Sequence, residues 1–141
     1  TAWTNKADAP ACDDGDVCTV GDQCTAGACA GSAGTCTASP VVAGTDVTLC
    51  ITDAACTALE GACTSVNAPA SWTTTAWDPA GNPMTHCTAG SYWVVDLGTF
   101  ASGTYCYRFR PNASSTWYND PLNADSGPGR CSGDNSQFII P

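Results

Sequence analysis

Basic residues are scarce in this chain. Four Lys and Arg residues stand against 13 Asp and Glu residues, which gives a formal net charge of −9 over 141 residues. Binding to nucleic acid requires a clustered basic surface, and anionic membranes attract basic segments, so the charge balance argues against both partners.

Long apolar runs are also missing. The longest ones, residues 92–95 and 138–140, have the length of strands, and we expect no insertion into a membrane.

The sequence also lacks the motifs of common enzymes. It contains no phosphate-binding loop, no G-x-S-x-G and no H-E-x-x-H. Glu60 is the only Glu, whereas glycoside hydrolysis generally uses two carboxylates across a cleft. The single His, His86, precedes Cys87, but adjacent residues of a strand point to opposite faces. We therefore expect that the protein is not an enzyme.

Cysteine, in contrast, is abundant, and no two of the 11 cysteines form a Cys-x-x-Cys pair. This spacing, together with the single His, argues against zinc and haem sites and favours disulfides formed in an oxidising, extracellular compartment. The odd number leaves at least one thiol outside intrachain pairs. The candidate disulfide residues are Cys12, Cys18, Cys24, Cys29, Cys36, Cys50, Cys56, Cys63, Cys87, Cys106 and Cys131.

The composition divides the chain in two. Residues 1–38 hold five cysteines, many turn residues and little apolar sequence, so their order must come from disulfides and from docking on a neighbour. We place the boundary at Ser39 and Pro40. Residues 41–141 contain strand-sized apolar segments separated by clusters of Gly, Pro, Asn and Asp, as in all-β domains.

Six segments are predicted to be strands: residues 45–52, 62–66, 72–77, 92–97, 104–110 and 137–140. The first alternates well, with Val47, Leu49 and Ile51 on one face. No stretch has a sustained helical period. Several short strands with turn signals between them predict an all-β fold, a β-sandwich that follows a small disulfide-rich N-terminal module.

Four acidic residues of the N-terminal part, Asp13, Asp14, Asp16 and Asp22, could gather around a calcium ion, because calcium takes several carboxylate and carbonyl oxygens. Their spacing differs from that of an EF-hand loop, and a solvated acidic loop is the favoured alternative. We expect no other cofactor. Asn112 begins the sequon Asn-Ala-Ser and is a candidate for glycosylation.

Residues 12–29 read C-D-D-G-D-V-C-T-V-G-D-Q-C-T-A-G-A-C. This segment resembles a short cysteine-rich repeat, C-D-D-G-x-x-C-T-x-G-D-x-C-x-x-G-x-C, of bacterial extracellular surface proteins. The resemblance implies a location outside the cell or at the cell surface, in a bacterium. It implies no activity.

A second resemblance covers residues 45–141. Trp77 precedes a Pro-rich turn, and the later landmarks are Y-W-V-V-D-L (92–97), G-T-Y-C-Y-R-F (103–109), W-Y-N-D-P (117–121) and N-S-Q-F-I-I (135–140). Their order resembles the early-set, immunoglobulin-like modules that bind starch and glycogen. The resemblance implies that Trp77 and Trp117 are platforms for sugar rings, with Arg108 in place of the usual Lys and Asn135 as a hydrogen-bond partner.

The five Trp residues have an alternative role, because sandwich domains pack Trp in the core. Trp93, central in an apolar strand, is predicted to be core, whereas Trp117, beside a turn, is the best candidate for exposure. Disulfide connectivity cannot be derived from the sequence alone. We expect Cys12 to pair with Cys24, Cys18 with Cys29, and Cys87 with Cys106.

Two functions remain open. The first is a secreted structural protein, a self-assembling subunit of an extracellular filament or surface layer whose partners are copies of itself. Three features suggest this hypothesis: the odd cysteine count, open sheet edges, and the N-terminal residues 1–10, which could reach a neighbour. The alternative is an adhesin or a carbohydrate-binding module for α-glucan-type polysaccharide.

Overall fold

The computed structural model describes residues 12–73 and 75–141, so the N-terminal residues 1–10 that could reach a neighbour lie outside the described chain. The described residues are mostly β, which confirms the predicted fold class. The strands are β1 (Thr19–Thr25), β2 (Ala28–Ala33), β3 (Val41–Ala43), β4 (Asp46–Thr52), β5 (Val66–Asn67), β6 (Thr85–Cys87), β7 (Tyr92–Thr99), β8 (Gly103–Tyr107), β9 (Arg110–Pro111), β10 (Ser126–Arg130) and β11 (Gly133–Ile140).

Two sheets form a sandwich-like core. The main sheet has the order β3-β4-β7-β6, and the second sheet has the order β10-β11-β8. In the main sheet, Ile51 lies opposite Trp93 in the antiparallel pair β4–β7, and in the second sheet Phe138 lies opposite Tyr105. Side chains of both sheets share one buried cluster, which confirms Trp93 as a core residue. The short pairs β1–β2 and β5–β9 complete the β structure.

The main sheet is covered on both faces. Side chains of a strand alternate between faces, so Val47, Leu49 and Ile51 point into the sandwich while Cys50 points the other way. On that outer face Cys50 joins a second buried cluster with Tyr92 and Val94. Val17 and Cys18, from the N-terminal module, pack against this cluster and shield it from water.

Five disulfides join ten of the cysteines. They are Cys12–Cys29, Cys18–Cys87, Cys36–Cys50, Cys56–Cys63 and Cys106–Cys131. The pairs Cys18–Cys87 and Cys36–Cys50 bridge the predicted boundary at Ser39 and Pro40. Disulfides of this kind are characteristic of proteins of the extracellular space or another oxidising compartment.

All three expected pairings are wrong. Cys18 bonds Cys87, 69 residues away, because the segment before β1 packs on the outer face of the main sheet, where β6 ends. Cys12 bonds Cys29 of the β1–β2 hairpin and not Cys24, the residue opposite Cys29. Cys106 of β8 bonds Cys131, in the turn between β10 and β11, because β8 pairs with β11 and not with β6.

Cys24 is the unpaired cysteine. The odd count had predicted one thiol outside the intrachain pairs, and the structure confirms it. Including Cys24 among the disulfide residues is therefore wrong within one chain, because Cys29, which lies opposite Cys24 on the neighbouring strand, is already bonded to Cys12.

One helix was missed by the sequence pattern: α1, Asp53–Glu60. The Thr52 hydroxyl caps it by accepting a hydrogen bond from the Ala55 N–H at 3.1 Å, and Gly61, at φ 75°, ends it. Eight residues are too few to show a sustained period, and only Cys56 is fully buried. Within the described chain, no helix has the length and apolar character that crossing a membrane would require.

Three local predictions were wrong. Residues 62–66 form no strand beyond Val66, whose partner is Pro111 in the short pair β5–β9. The described residues of the segment 72–77 are turns and bends. Trp72 packs edge-on against Phe100, at 5.2 Å between ring centroids, and so reaches the core from a loop. The Gly- and Pro-rich residues 124–129 contribute to the edge strand β10, a position that tolerates Pro.

A buried carboxyl group fixes the chain between β9 and β10. Asp120 is 2% exposed, and its Oδ2 accepts a hydrogen bond from the Tyr107 hydroxyl at 2.6 Å. The Asp120 N–H donates to the Ser136 hydroxyl at 2.7 Å. Burial raises the pKa of Asp120, and hydrogen bonds from Ser39 and Tyr107 lower it part of the way back.

Replacing Tyr107 with Phe should destabilise the protein by about 1–3 kcal/mol, because the buried Asp120 Oδ2 loses its hydroxyl donor while the Leu122 N–H stays on Oδ1. The pKa of Asp120 would then rise further above its unfolded-state value. Ionisation of Asp120 in the folded variant would cost more free energy than in folded wild type. The difference in unfolding free energy between wild type and variant should therefore grow as pH increases above about 4. Urea unfolding at pH 4 and pH 7 measures this. Tyr105→Phe, which removes a hydroxyl bonded to the exposed Ala101 carbonyl, is the control, and an equal effect of both variants would contradict the prediction.

Candidate functional site

Two of the predicted platform residues lie side by side. The rings of Trp77 and Trp117 are 6.2 Å apart at their centroids and inclined by 29°. Both side chains are half-buried, so Trp117 is less exposed than its place beside a turn had indicated. The two indoles come from loops 40 residues apart in sequence, and the fold brings them together.

The loop that carries Trp77 has an unusual backbone. Trp77 has φ 61°, a left-handed conformation that costs free energy for a bulky side chain. The Trp77 N–H donates to the Ala70 carbonyl at 2.8 Å, and the Asp78 N–H donates to Thr75 at 3.0 Å. These bonds hold the turn in the conformation that places the indole beside Trp117.

Trp117 is positioned by the residue that follows it. Tyr118 exchanges two backbone hydrogen bonds with Phe109, at 2.7 and 2.8 Å. Its hydroxyl donates to Glu60 Oε1 at 2.5 Å, and Ser114 donates to the same oxygen at 2.7 Å. These two bonds lower the pKa of Glu60. The only Glu of the chain therefore anchors the loop before Trp117 to the end of α1.

Arg108 connects Trp117 to Asn135. Its Nε–H donates to Asn135 Oδ1 at 3.1 Å, and its Nη1 lies 3.5 Å from the Trp117 carbonyl. Its Nη2 lies 3.9 Å from Asp134. Trp77, Arg108, Trp117 and Asn135 thus form one connected, half-buried set, which we call the aromatic patch. Its rings offer flat apolar faces, and its guanidinium offers further donors.

Asn119 and Asp134, at the margin of the aromatic patch, were missed in the sequence. The Asn119 Nδ2–H donates to Asp134 Oδ1 at 2.6 Å, while Asn119 Oδ1 is buried and has no partner. An unpaired buried acceptor costs free energy unless a ligand or water satisfies it. In the sequence, Asn119 is part of the motif W-Y-N-D-P and Asp134 directly precedes N-S-Q-F. These positions are the only signals that could have indicated the two residues.

A concave surface lies on the outer face of the main sheet. A cavity of about 360 Å³ separates the N-terminal module from β4 and β7. Five of its twelve lining residues are Val or Ala and four are Thr, and Asp96 is its one charged residue. We call it the outer groove; its lining residues are Val17, Thr19, Val20, Thr35, Thr37, Ala38, Val41, Thr48, Cys50, Tyr92, Val94 and Asp96.

The rim of the outer groove exposes aliphatic side chains. Val20 is 57% exposed and Val41 is 47% exposed, and both line the groove. Val41 begins β3, the outermost strand of the main sheet, which pairs on one side only, with β4. An exposed apolar rim beside an open strand edge is typical of a surface that receives another polypeptide segment.

The acidic loop brings together three of the four predicted residues. Carboxylate oxygens of Asp13, Asp14 and Asp22 lie within 4.8 Å of one another, and Asp16 is not part of the group. These carboxylates accept backbone N–H bonds from Asp14, Gly15 and Asp16 at 2.7 to 3.0 Å. The bond from the Asp16 N–H lowers the pKa of Asp14. The carboxylates therefore order the loop, and calcium binding stays a prediction.

Asn112 holds the segment after α1. Its Oδ1 accepts from the Thr64 N–H at 2.8 Å, and its Nδ2–H donates to the Ala62 carbonyl at 3.0 Å. Glycosylation of Asn112 stays a prediction.

His86 lies 3.0 Å from Asp53, and its ring lies 4.6 Å from the Trp93 ring. Cys87, its neighbour, is bonded to Cys18 and has no thiol.

The sequence matches no protein-family model, and a comparison with curated proteins finds no match. The two resemblances to known repeats and modules therefore remain predictions, and the functional argument depends on the geometry of the aromatic patch and the outer groove.

Proposed function

We propose that this chain is a non-enzymatic, secreted structural protein: a self-assembling subunit of an extracellular filament or surface layer, at the surface of a bacterial cell. The observation that carries the proposal is the outer groove, with its exposed valine rim. Five disulfides support a role in which a protein must stay folded outside the cell.

The proposed occupant of the outer groove is the N-terminal segment, residues 1–11, of a second copy. In sequence this segment carries Trp3 and several Ala residues, which match the Val and Ala side chains of the groove, and Lys6, the only Lys of the chain, which matches Asp96. Eleven extended residues reach about 36 Å, enough to leave one subunit and enter another. The open edge of β3 offers backbone groups to an extended segment, as in strand addition.

Assembly is tested with the native protein, without reductant, by electron microscopy and sedimentation. Wild type should form filaments, sheets or large oligomers. Val20→Asp and Val41→Asp should abolish them, because each places a charge on the apolar rim. Leu122→Asp is the matched control, since Leu122 is 38% exposed and lies outside the groove, and it should assemble normally.

A synthetic peptide of residues 1–11 should inhibit assembly of wild type in a dose-dependent manner. A peptide with Trp3 replaced by Ser should inhibit less. The proposal would be refuted if wild type stayed monomeric under all dilute conditions without reductant. It would also be refuted if the two Val variants assembled as wild type does.

Carbohydrate binding is the second candidate, and the aromatic patch favours it. Four residues expected from motif order to share a site do lie together: Trp77 and Trp117 by ring stacking, Arg108 and Asn135 by a hydrogen bond. Sugar rings present flat C–H faces that pack on indoles, while their hydroxyls need directed donors and acceptors. An α-glucan-type polysaccharide is the proposed ligand, and such binding is compatible with assembly.

Titration with a malto-oligosaccharide, followed by Trp fluorescence, measures this binding. Trp117→Ala should weaken it at least about tenfold, because the loss of one stacking face costs about 1.4 kcal/mol or more. Trp93→Phe is the control, because Trp93 is a core residue outside the aromatic patch. No response of wild type, or equal responses of wild type and Trp117→Ala, would exclude this candidate.

A further inference from the structure

Three cysteines meet in the β1–β2 hairpin. Cys24 of β1 lies directly opposite Cys29 of β2 in the register of the pair. Cys29 is bonded to Cys12, whereas Cys24 keeps its thiol. All three residues are half-buried. A thiol therefore lies beside a disulfide on the same small sheet, and neither the proposed assembly nor the proposed sugar site uses this arrangement.

The hairpin geometry suits a bond between Cys24 and Cys29. Thr25 pairs with Ala28 and closes a two-residue turn, Ala26 and Gly27, in which both residues have positive φ. Pairs next to such a closing pair belong to the closer, non-hydrogen-bonded type, with Cα atoms about 4.5 Å apart and side chains on one face. Disulfides span Cα distances of about 4.4–6.8 Å, so the two strands need not separate.

We propose that the hairpin is a disulfide switch. The thiolate of Cys24 attacks Sγ of Cys29, the Cys24–Cys29 bond forms, and the Cys12–Cys29 bond breaks with Sγ of Cys12 leaving as a thiolate. Solvent takes the proton from Cys24 and returns one to Cys12. The number of thiols and disulfides is unchanged, so the step needs no oxidant or reductant.

The switch moves the free thiol to Cys12 and releases its tether. In the first state the disulfide to Cys29 fixes the start of the described chain to the hairpin, assisted by a 3.5 Å hydrogen bond from the Cys12 N–H to the Asp22 carbonyl. After exchange, the free thiol is at Cys12, directly after residues 1–11 of the sequence.

Alkylation of the native protein tests the switch. Wild type is incubated without reductant at mildly alkaline pH, labelled with iodoacetamide, digested at Asp residues and mapped by mass spectrometry. We expect label at Cys24 and also at Cys12, the latter accompanied by an internal Cys24–Cys29 disulfide in the peptide that begins at Asp22. In Cys24→Ser the label at Cys12 should be lost. Label confined to Cys24 in wild type, or label at Cys12 that persists in Cys24→Ser, would overturn the proposal.

A second variant tests the geometry directly. In Cys12→Ser, Cys24 and Cys29 should form a disulfide on air oxidation and leave no thiol to label. Retention of both thiols in the oxidised, folded variant would refute the switch. Label spread over the other four disulfides in wild type would show general scrambling and would also refute it. None of these readouts depends on assembly or on sugar binding, so failure of either proposed function would be seen separately.

Discussion

The pairing of β4 with β7 is the contact on which the rest of the molecule depends. A strand alternates its side chains between faces, so this single register sends Leu49 and Ile51 into the sandwich and Cys50 outward. A slip by one residue would exchange the inward- and outward-pointing side chains of β4. Cys50 would then point into the sandwich, and Cys36 would have no disulfide partner. The sandwich core, the outer cluster and the attachment of the N-terminal module all follow from this register.

The features that local pattern encodes could be predicted, and those that depend on distant contacts could not. The alternation in residues 45–52 predicted β4 almost to the residue. In contrast, the strand predicted over residues 72–77 rested on apolar content, and Trp72 reaches the core from a loop. The Cys18–Cys87 bond joins residues 69 apart, a distance that the spacing of neighbouring cysteines could not reveal. The helix α1 is capped by Thr52 and clamped by Cys56–Cys63, and both act over too few residues to produce a period.

The aromatic patch was more accessible to sequence reasoning than the outer groove. Its four members were expected together because their motifs follow one another in a familiar order, and the loops around Asp78 and Tyr118 do bring the two indoles into contact. Asn119 and Asp134 carried no signal of their own. The outer groove lies between two parts of the chain with different compositions, so no single segment of the sequence encodes it.

The disulfides also determine how tension would travel through the protein. The shortest covalent path from Cys12 to the end of the chain runs through Cys18–Cys87, then along β7 and β8, then through Cys106–Cys131 into β11. The strands β1 to β6, with β9 and β10, lie in loops that this path bypasses. A pulling force would therefore act on β7, β8 and β11, of which β7 and β11 are flanked by partners on both sides, and the bypassed loops could not unravel to lengthen the chain. A protein bridged in this way would lengthen little under a pulling force.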